Sequence, residues 1–387
     1  MGPIIILDKS AIQSFSKREV SFLFKHYMVV ITPILIHEIL GDLEKKPKKD
    51  SLNKEDIIHL SRKLEGMGKI CVEFKHAFYG SLMGANVPMT GQIPLPGGIE
   101  IQSKDGEKGV FFEEAPEWKP IRRWKDGIFS DDDKKFAKKW RLSSRAFDLQ
   151  GLKRSFNRII KTKTINNPIE LALEIESAIG EPSPDKQQLI LRSCMNMLRL
   201  RRSDRGFILS RWVMSGHKPI REFAPYAFHC YKVCLYFVIG LLTGFITPKP
   251  TNIIDIEYLF YLPFCFVFSS GDIFHKKITF LLLRNDQSFI DRDILKSDLR
   301  WIANEWDTIK DNKEERENRF YNYGNYPPDN PNSITYQMWK KYMKPRKQGS
   351  GNIRMTKEDE ERLMQKLKPM TDAIKDYDKQ RRINGRR

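Results

Sequence analysis

Three short stretches of this chain are apolar without interruption: Ile4-Ile5-Ile6-Leu7, residues 27–31 and residues 264–268. None alternates with polar residues, which is the pattern of strands buried on both faces of a sheet. A fourth apolar run, residues 278–283, predicts a strand at the sheet edge. Helix signals fall between them. Asp8-Lys9-Ser10-Ala11 opens one helix, and Thr32-Pro33 places a cap and then a proline at the first helical position of another, over 34–43. Asn252 is the expected N-cap of a short helix bearing Ile256, Leu259 and Phe260, and Pro263 ends it by removing an N–H donor and clashing with the preceding turn. Strands separated by helices predict an α/β fold with a parallel sheet.

Acids stand at the ends of these elements. Asp8 follows the first apolar run, and Asp272 follows Ser269-Ser270-Gly271 after the third. Open α/β sheets bind ligands just past the carboxyl ends of their strands. Glu38 lies on the second turn of the Thr32-Pro33 helix, and Asp255 on the helix before residue 264. The order strand–Asp–x–Ser, helix–Glu, helix–Asp, strand–Ser–x–x–Asp resembles that of PIN-domain nucleases. It is similar also to bacterial proteins with an extended PIN-like core. The resemblance covers residues 3–44 and 220–290 and implies a three-layer core split by a long α+β insertion. Four regions follow: 1–45 and 216–290 as core, 46–215 as insertion, and 291–387 as a helical, basic C-terminal region. It also implies that Asp8, Glu38, Asp255 and Asp272 form the acidic cluster of a nuclease acting on RNA rather than DNA. Ser10 and Ser270 would be its hydroxyl neighbours. A haloacid-dehalogenase phosphatase would need a second Asp where Ser10 stands, and no glycine-rich Gly-Lys-Ser/Thr phosphate loop occurs.

The chemistry follows from the charges. Four crowded carboxylates repel one another unless cations sit among them. Mg²⁺ or Mn²⁺ suits such a set, because these ions prefer carboxylate and water oxygens and leave room for substrate phosphate. In two-metal phosphodiester cleavage, one ion activates water and the other stabilises the leaving oxygen. The resemblance makes Asp8 the bridging or central ligand, and neutralising it should relieve repulsion in the metal-free protein. Glu257, two residues from Asp255, is a reserve. His275 reads as a surface residue at a helix start, with a phosphate contact as the sharper reading.

The remaining sequence is basic and mixed. Residues 45–56 begin with a charged, proline-broken loop, and a helical pattern spans 56–66. Residues 80–109 are rich in Gly and Pro, and Asp105-Gly106 predicts the turn of a hairpin between 99–101 and 109–112. From 118 to 163, Lys and Arg number 15 against 5 acids, with Trp124, Phe129, Phe136, Trp140, Phe147 and Phe156 interleaved. A helix over 131–146, capped by Ser130, presents Lys134, Lys135, Lys138, Lys139 and Arg141 to a polyanion and turns Phe136 and Trp140 toward the core. Further helices are expected over 185–202, 294–306 and 356–368, with a turn-rich linker at 322–332 and a disordered segment at 346–352. Residues 340–387 hold 16 basic residues against 7 acids, a composition suited to phosphate contacts.

Of 387 residues, 67 are Lys or Arg and 49 are Asp or Glu, a net charge of +18 that favours nucleic acid as partner. An acidic protein partner, such as an antitoxin, is the other candidate. Five cysteines in apolar surroundings read as reduced thiols of a cytoplasmic protein, an expectation matched by the lack of a secretory signal. Cys230, Cys234 and His229 lack the second pair that zinc would need. Residues 228–246 are membrane-like in composition but contain His229 and Lys232, so a buried core helix is expected there and no membrane partner. A binding protein on the same scaffold, without catalysis, is the alternative reading of the whole.

Overall fold

The computed structural model describes residues 2–45, 53–65, 68–95, 98–145, 165, 167–249, 251–345 and 356–384. Four expectations lie outside these residues: the charged loop through 46–52, the basic stretch 146–163 with Phe147 and Phe156, the segment 346–352, and the closing Arg386-Arg387.

The chain is mixed α/β. Its strands are β1 (Ile4–Leu7), β2 (Met28–Ile31), β3 (Lys69–Ile70), β4 (Gly98–Gln102), β5 (Lys108–Phe112), β6 (Val267–Ser270) and β7 (Ser288–Asp291). Five form one sheet in the order β3-β2-β1-β6-β7, every neighbour parallel. Ile5, Ile6 and Leu7 are buried in its centre, as their uninterrupted apolar run requires. The chain moves from β1 outward through β2 to β3 on one side, and β6 and β7 extend the other. The seam between β1 and β6 is therefore the topological switch point, outside whose carboxyl ends a crevice opens. Leu7 pairs with Ser269 across that seam, and the Asp8 N–H donates to the Ser269 carbonyl at 3.2 Å. Register alone thus brings Asp8 beside Ser270.

Several boundaries differ from expectation. The third apolar strand starts later, at Val267, because residues Leu262–Phe264 form a 3-10 turn around Pro263. Thr251 rather than Asn252 precedes the short helix Asn252–Leu259. Residues 278–283 are not a strand. The Asp272 carboxylate caps helix Ile273–Ile278, and the backbone continues into a 3-10 turn, Thr279–Leu281, burying Ile278 and Thr279 and exposing Phe280. The edge strand is β7 instead. The core also extends beyond residue 45, since β3 pairs with β2 through Val30↔Lys69 and Ile31↔Ile70.

Other elements agree with the sequence. β4 and β5 form an antiparallel hairpin, with Gly106 at φ +87° in its turn. Helix Asp131–Arg145 begins with a reciprocal cap: the Asp133 N–H donates to Ser130 Oγ at 3.2 Å, and the Ser130 N–H to Asp133 Oδ2 at 2.8 Å. Trp140 packs against the core at Gly41, where a Cβ would collide with its ring. Phe136 departs from expectation, being more than a third exposed with its ring 5.0 Å from that of His37. Helix Pro225–Thr243 is, among the described residues, the one helix long and apolar enough to cross a membrane, and more than half of its apolar window is buried. Tyr226 donates to the Phe260 carbonyl at 3.0 Å and His229 to that of Leu259 at 3.0 Å, tying this helix to the one that carries Asp255. All five cysteines are free thiols.

Candidate functional site

Asp8 lies at the floor of the crevice and is 4% exposed. It caps helix Lys9–Ser14 by accepting from the Ala11 N–H at 2.8 Å. Ser10 Oγ stands 2.9 Å from both of its oxygens, and Ser270 Oγ 2.6 Å from Oδ2. Ser10 in turn accepts from the Gly271 N–H at 3.0 Å, which links the end of β1 to the end of β6. The carboxylate expected at the centre of a metal site is therefore filled by donors from the protein itself. Ser10 and Ser270 position Asp8; Ser270, fully buried, has no access to phosphate.

His275 completes the floor and corrects the sequence reading. It is fully buried, neither on the surface nor in reach of a phosphate. Nε2 lies 2.8 Å from the Asp255 carbonyl and must carry a proton to donate to it. Nδ1 lies 2.8 Å from Ser270 Oγ and 3.5 Å from Asp8 Oδ2. The single Ser270 proton goes to Asp8 at the shorter distance, so Nδ1 must also be protonated. Burial opposes that charge, but the hydrogen bond and charge of Asp8, with help from Asp255, push the imidazole up to about 9. Burial likewise works to raise the Asp8 carboxyl, and His275, Ser270 and the Ala11 N–H overcome it, holding Asp8 below its ordinary value.

The other three acids reach toward solvent and are each half-buried. Burial raises Glu38, against Lys9 at 3.8 Å from Oε1 and the Tyr258 hydroxyl at 2.7 Å from Oε2. Asp272 Oδ1 accepts from the Phe274 N–H at 2.6 Å. Asp255 has neither a hydrogen bond nor an ion pair on its carboxylate among the described residues. Burial first, then the negative charges of Asp272, Glu38 and Asp8, raise it to about 7 against the pull of His275. All three of the other acids thus act on Asp255. Glu257 faces elsewhere, beside Glu73 and Lys75; burial, more than Glu73, brings it to about 7.

No family model, curated protein or solved structure matches the chain, so its chemistry has to be read from the crevice itself.

Sequence reasoning missed the cations and the aromatic hydroxyl of this crevice. Lys9 is buried, 2.6 Å from Asp42 Oδ2, and Arg141 meets the other Asp42 oxygen at 2.9 Å. Arg141 therefore fastens the basic helix to the core rather than facing solvent as expected. Its adjacency to Asp8 in sequence was the one available sign of Lys9, and Tyr258 is legible only as an apolar-face residue. Arg292 lies over Gly271, where a Cβ would collide with the guanidinium. Next to Asp272 a pocket of about 140 Å³ is lined by Phe245, Lys249, Asn252, Phe274 and Lys277. Of the expected lysines, Lys134 pairs with Asp131 at 2.9 Å and Lys135 with Asp132 at 3.8 Å. Lys138 and Lys139 are exposed, with no ion pair among the described residues.

A hard cation fits the outward acids better than it fits Asp8. Among the described residues no three Asp, Glu, His or Cys side chains are placed to hold one ion together. Mg²⁺ needs no such cage, since one or two carboxylates, water and substrate phosphate complete its octahedron. Asp255, half-buried, raised by three negative neighbours and lacking a protein donor, has the environment that a cation would relieve.

Proposed function

We propose that the protein is a metal-dependent nuclease that hydrolyses phosphodiester bonds, of RNA in preference to DNA, on a PIN-like core. One observation carries the reading. Four acids from four separate segments gather at the carboxyl end of a parallel sheet, at its switch point, and the other three all perturb Asp255. Asp255 and Asp272 would hold Mg²⁺ or Mn²⁺ together with water and substrate phosphate, and Glu38 would reach the ion through water. The ion would supply activation of water and stabilisation of the leaving oxygen. Asp8, held by Ser10, Ser270 and His275, fixes the floor on which that geometry depends. Lys249, Lys277 and Arg292 would meet neighbouring phosphates. The exposed Lys138 and Lys139 supply affinity at longer range, on a helix fastened beside Glu38 by Trp140 and the Arg141–Asp42 pair.

A second reading has its own observation. Lys9 beside Glu38 and the His275 imidazolium beside Asp8 already balance two of the four acids. A scaffold that binds nucleic acid or a protein partner without cutting would use the same arrangement. Incubating the purified protein with end-labelled single-stranded RNA and DNA, in Mg²⁺, Mn²⁺ or EDTA, separates the two. The nuclease reading expects metal-dependent cleavage, abolished in Asp255→Asn and Asp272→Asn. Binding without cleavage in either metal would select the scaffold.

A further inference from the structure

A second groove lies at the opposite end of the sheet from the acidic crevice. Helices Lys17–His26 and Arg292–Asp307 pack side by side, and each runs from the carboxyl end of the sheet back toward the amino ends of the strands. Their last turns, with Phe22, Lys25 and Trp306, are therefore remote from Asp8. Helix Lys313–Tyr323 supplies a third wall. The space between them is about 600 Å³, lined by Phe22, Lys25, Trp306, Lys313, Arg316 and Phe320.

The chemistry of this lining is specific. Phe22 and Trp306 face each other with ring centres 6.4 Å apart, tilted by 38°. Lys25 Nζ sits 3.3 Å from the centre of the Trp306 ring, which brings a cation directly onto an aromatic wall. The Trp306 indole N–H is buried with no acceptor among the described residues. Lys313 and Arg316 are exposed one helical turn apart on the third wall, and one acid, Glu317, shares the lining. Three aromatic rings and three cations around an open channel can accept a flat heteroaromatic base and the phosphates on either side of it.

We propose that this groove is a second nucleic-acid site, taking a single strand with bases against Trp306 and Phe22 and phosphates against Lys25, Lys313 and Arg316. An acidic peptide would satisfy the cations but leave the aromatic rings without a flat heteroaromatic partner, so a nucleic acid fits more of the lining. The site stands on its own residues and does not require the crevice to cut. A strand long enough to engage both this groove and the Lys138–Lys139 surface gains affinity from the linkage of the two contacts.

The test uses the full-length protein in EDTA and fluorescent single-stranded oligonucleotides, short and long, titrated at several salt concentrations. Trp306→Ala should weaken binding of the long strand about ten-fold, the loss of one stacked base. Lys313→Glu with Arg316→Glu, both exposed, should weaken it and lower the magnitude of the salt slope by about two. Photo-cross-linking with a 4-thiouridine oligonucleotide should label the peptide containing Trp306 or Phe320. Unchanged affinity and slope in the charge-reversed protein, with no label in those peptides, would overturn the proposal. So would loss of binding to a polyglutamate probe with oligonucleotide binding intact. If Trp306→Ala fails to fold, the exposed double variant and the cross-link still decide.

Discussion

The Ser270 hydroxyl, on β6, lies 2.6 Å from Asp8 Oδ2 at the end of β1, and its proton cannot also satisfy His275. From this single bond follows an imidazolium that is fully buried and has Asp8 as its ion-pair partner. Removing one member of such a pair leaves the other as an uncompensated buried charge, which typically costs about 3–5 kcal/mol. His275→Ala should therefore lower the unfolding free energy by about that amount, and adding Asp8→Asn should restore part of it. Urea denaturation of the two single variants and the double variant measures the coupling. Additive losses would mean that the pair is not ionised.

The same pair fixes a pH dependence. His275 is raised from 6.5 to about 9, so its contribution is complete below 6.5 and is lost as pH rises through 9. Asp8 is lowered from 3.8, so its share is present above that value and disappears as pH falls through its folded value. The pair is worth most between about pH 4 and 6.5. Thermal unfolding in EDTA should show stability declining between pH 6.5 and 9 in the wild type, with a shallower decline in His275→Ala.

The basic helix should divide by residue. Lys134 and Lys135 have their own aspartates one turn back, whereas Lys138 and Lys139 do not. Charge reversal of Lys138 and Lys139 should weaken nucleic-acid binding and reduce its salt slope by about two, with the fold intact. Reversal of Lys134 and Lys135 should do less. Arg141→Ala should act on stability instead, because it withdraws a partner from the buried Asp42. Filter binding over a range of salt, beside thermal melts, tests this division.

The sequence disclosed what is local. Apolar runs marked β1, β2 and the first half of β6, the Asp-Gly turn marked the hairpin, and Ser130 marked the start of the basic helix. β3 stayed hidden because Lys69 and Ile70 make a two-residue strand, too short for any periodicity, and only pairing with β2 defines it. Residues 278–283 misled because an uninterrupted apolar run suits a buried helix end as well as a strand, and the Asp272 cap decided between them. Asp8 and Asp272 were legible at strand ends, and Glu38 and Asp255 as acids on the helices. Their ionic partners were not. Whether Lys9 turns toward Asp42, or His275 turns inward under Asp8, depends on packing across more than thirty and more than two hundred residues of sequence.

That blindness matters most for substitutions within the acidic cluster, where Asp8 and Asp255 should respond in opposite directions. Charge crowding alone predicts that neutralising any member stabilises the metal-free protein, Asp8 included. The structure reverses this for Asp8, because Asp8→Asn strips His275 of its counter-charge in a site without solvent. Its imidazole would then have to deprotonate or remain charged and unpaired, and stability should fall at neutral pH. Asp255 is the other case. Its carboxyl is raised to about 7 by burial and by Asp272, Glu38 and Asp8, and no protein cation contacts it among the described residues. An acid whose folded value exceeds 3.8 gives most stability below 3.8 and progressively less as pH rises to about 7. Asp255→Asn should therefore raise the melting temperature at pH 7.5 in EDTA and flatten the decline between pH 4 and 7. In Mg²⁺ or Mn²⁺ both variants should lose cleavage, Asp255→Asn by losing a ligand and Asp8→Asn by loosening the floor beneath it. Melts of the two proteins with and without metal, beside a cleavage assay, make the comparison. A destabilised Asp255→Asn or a stabilised Asp8→Asn would show that the charges are not partitioned in this way.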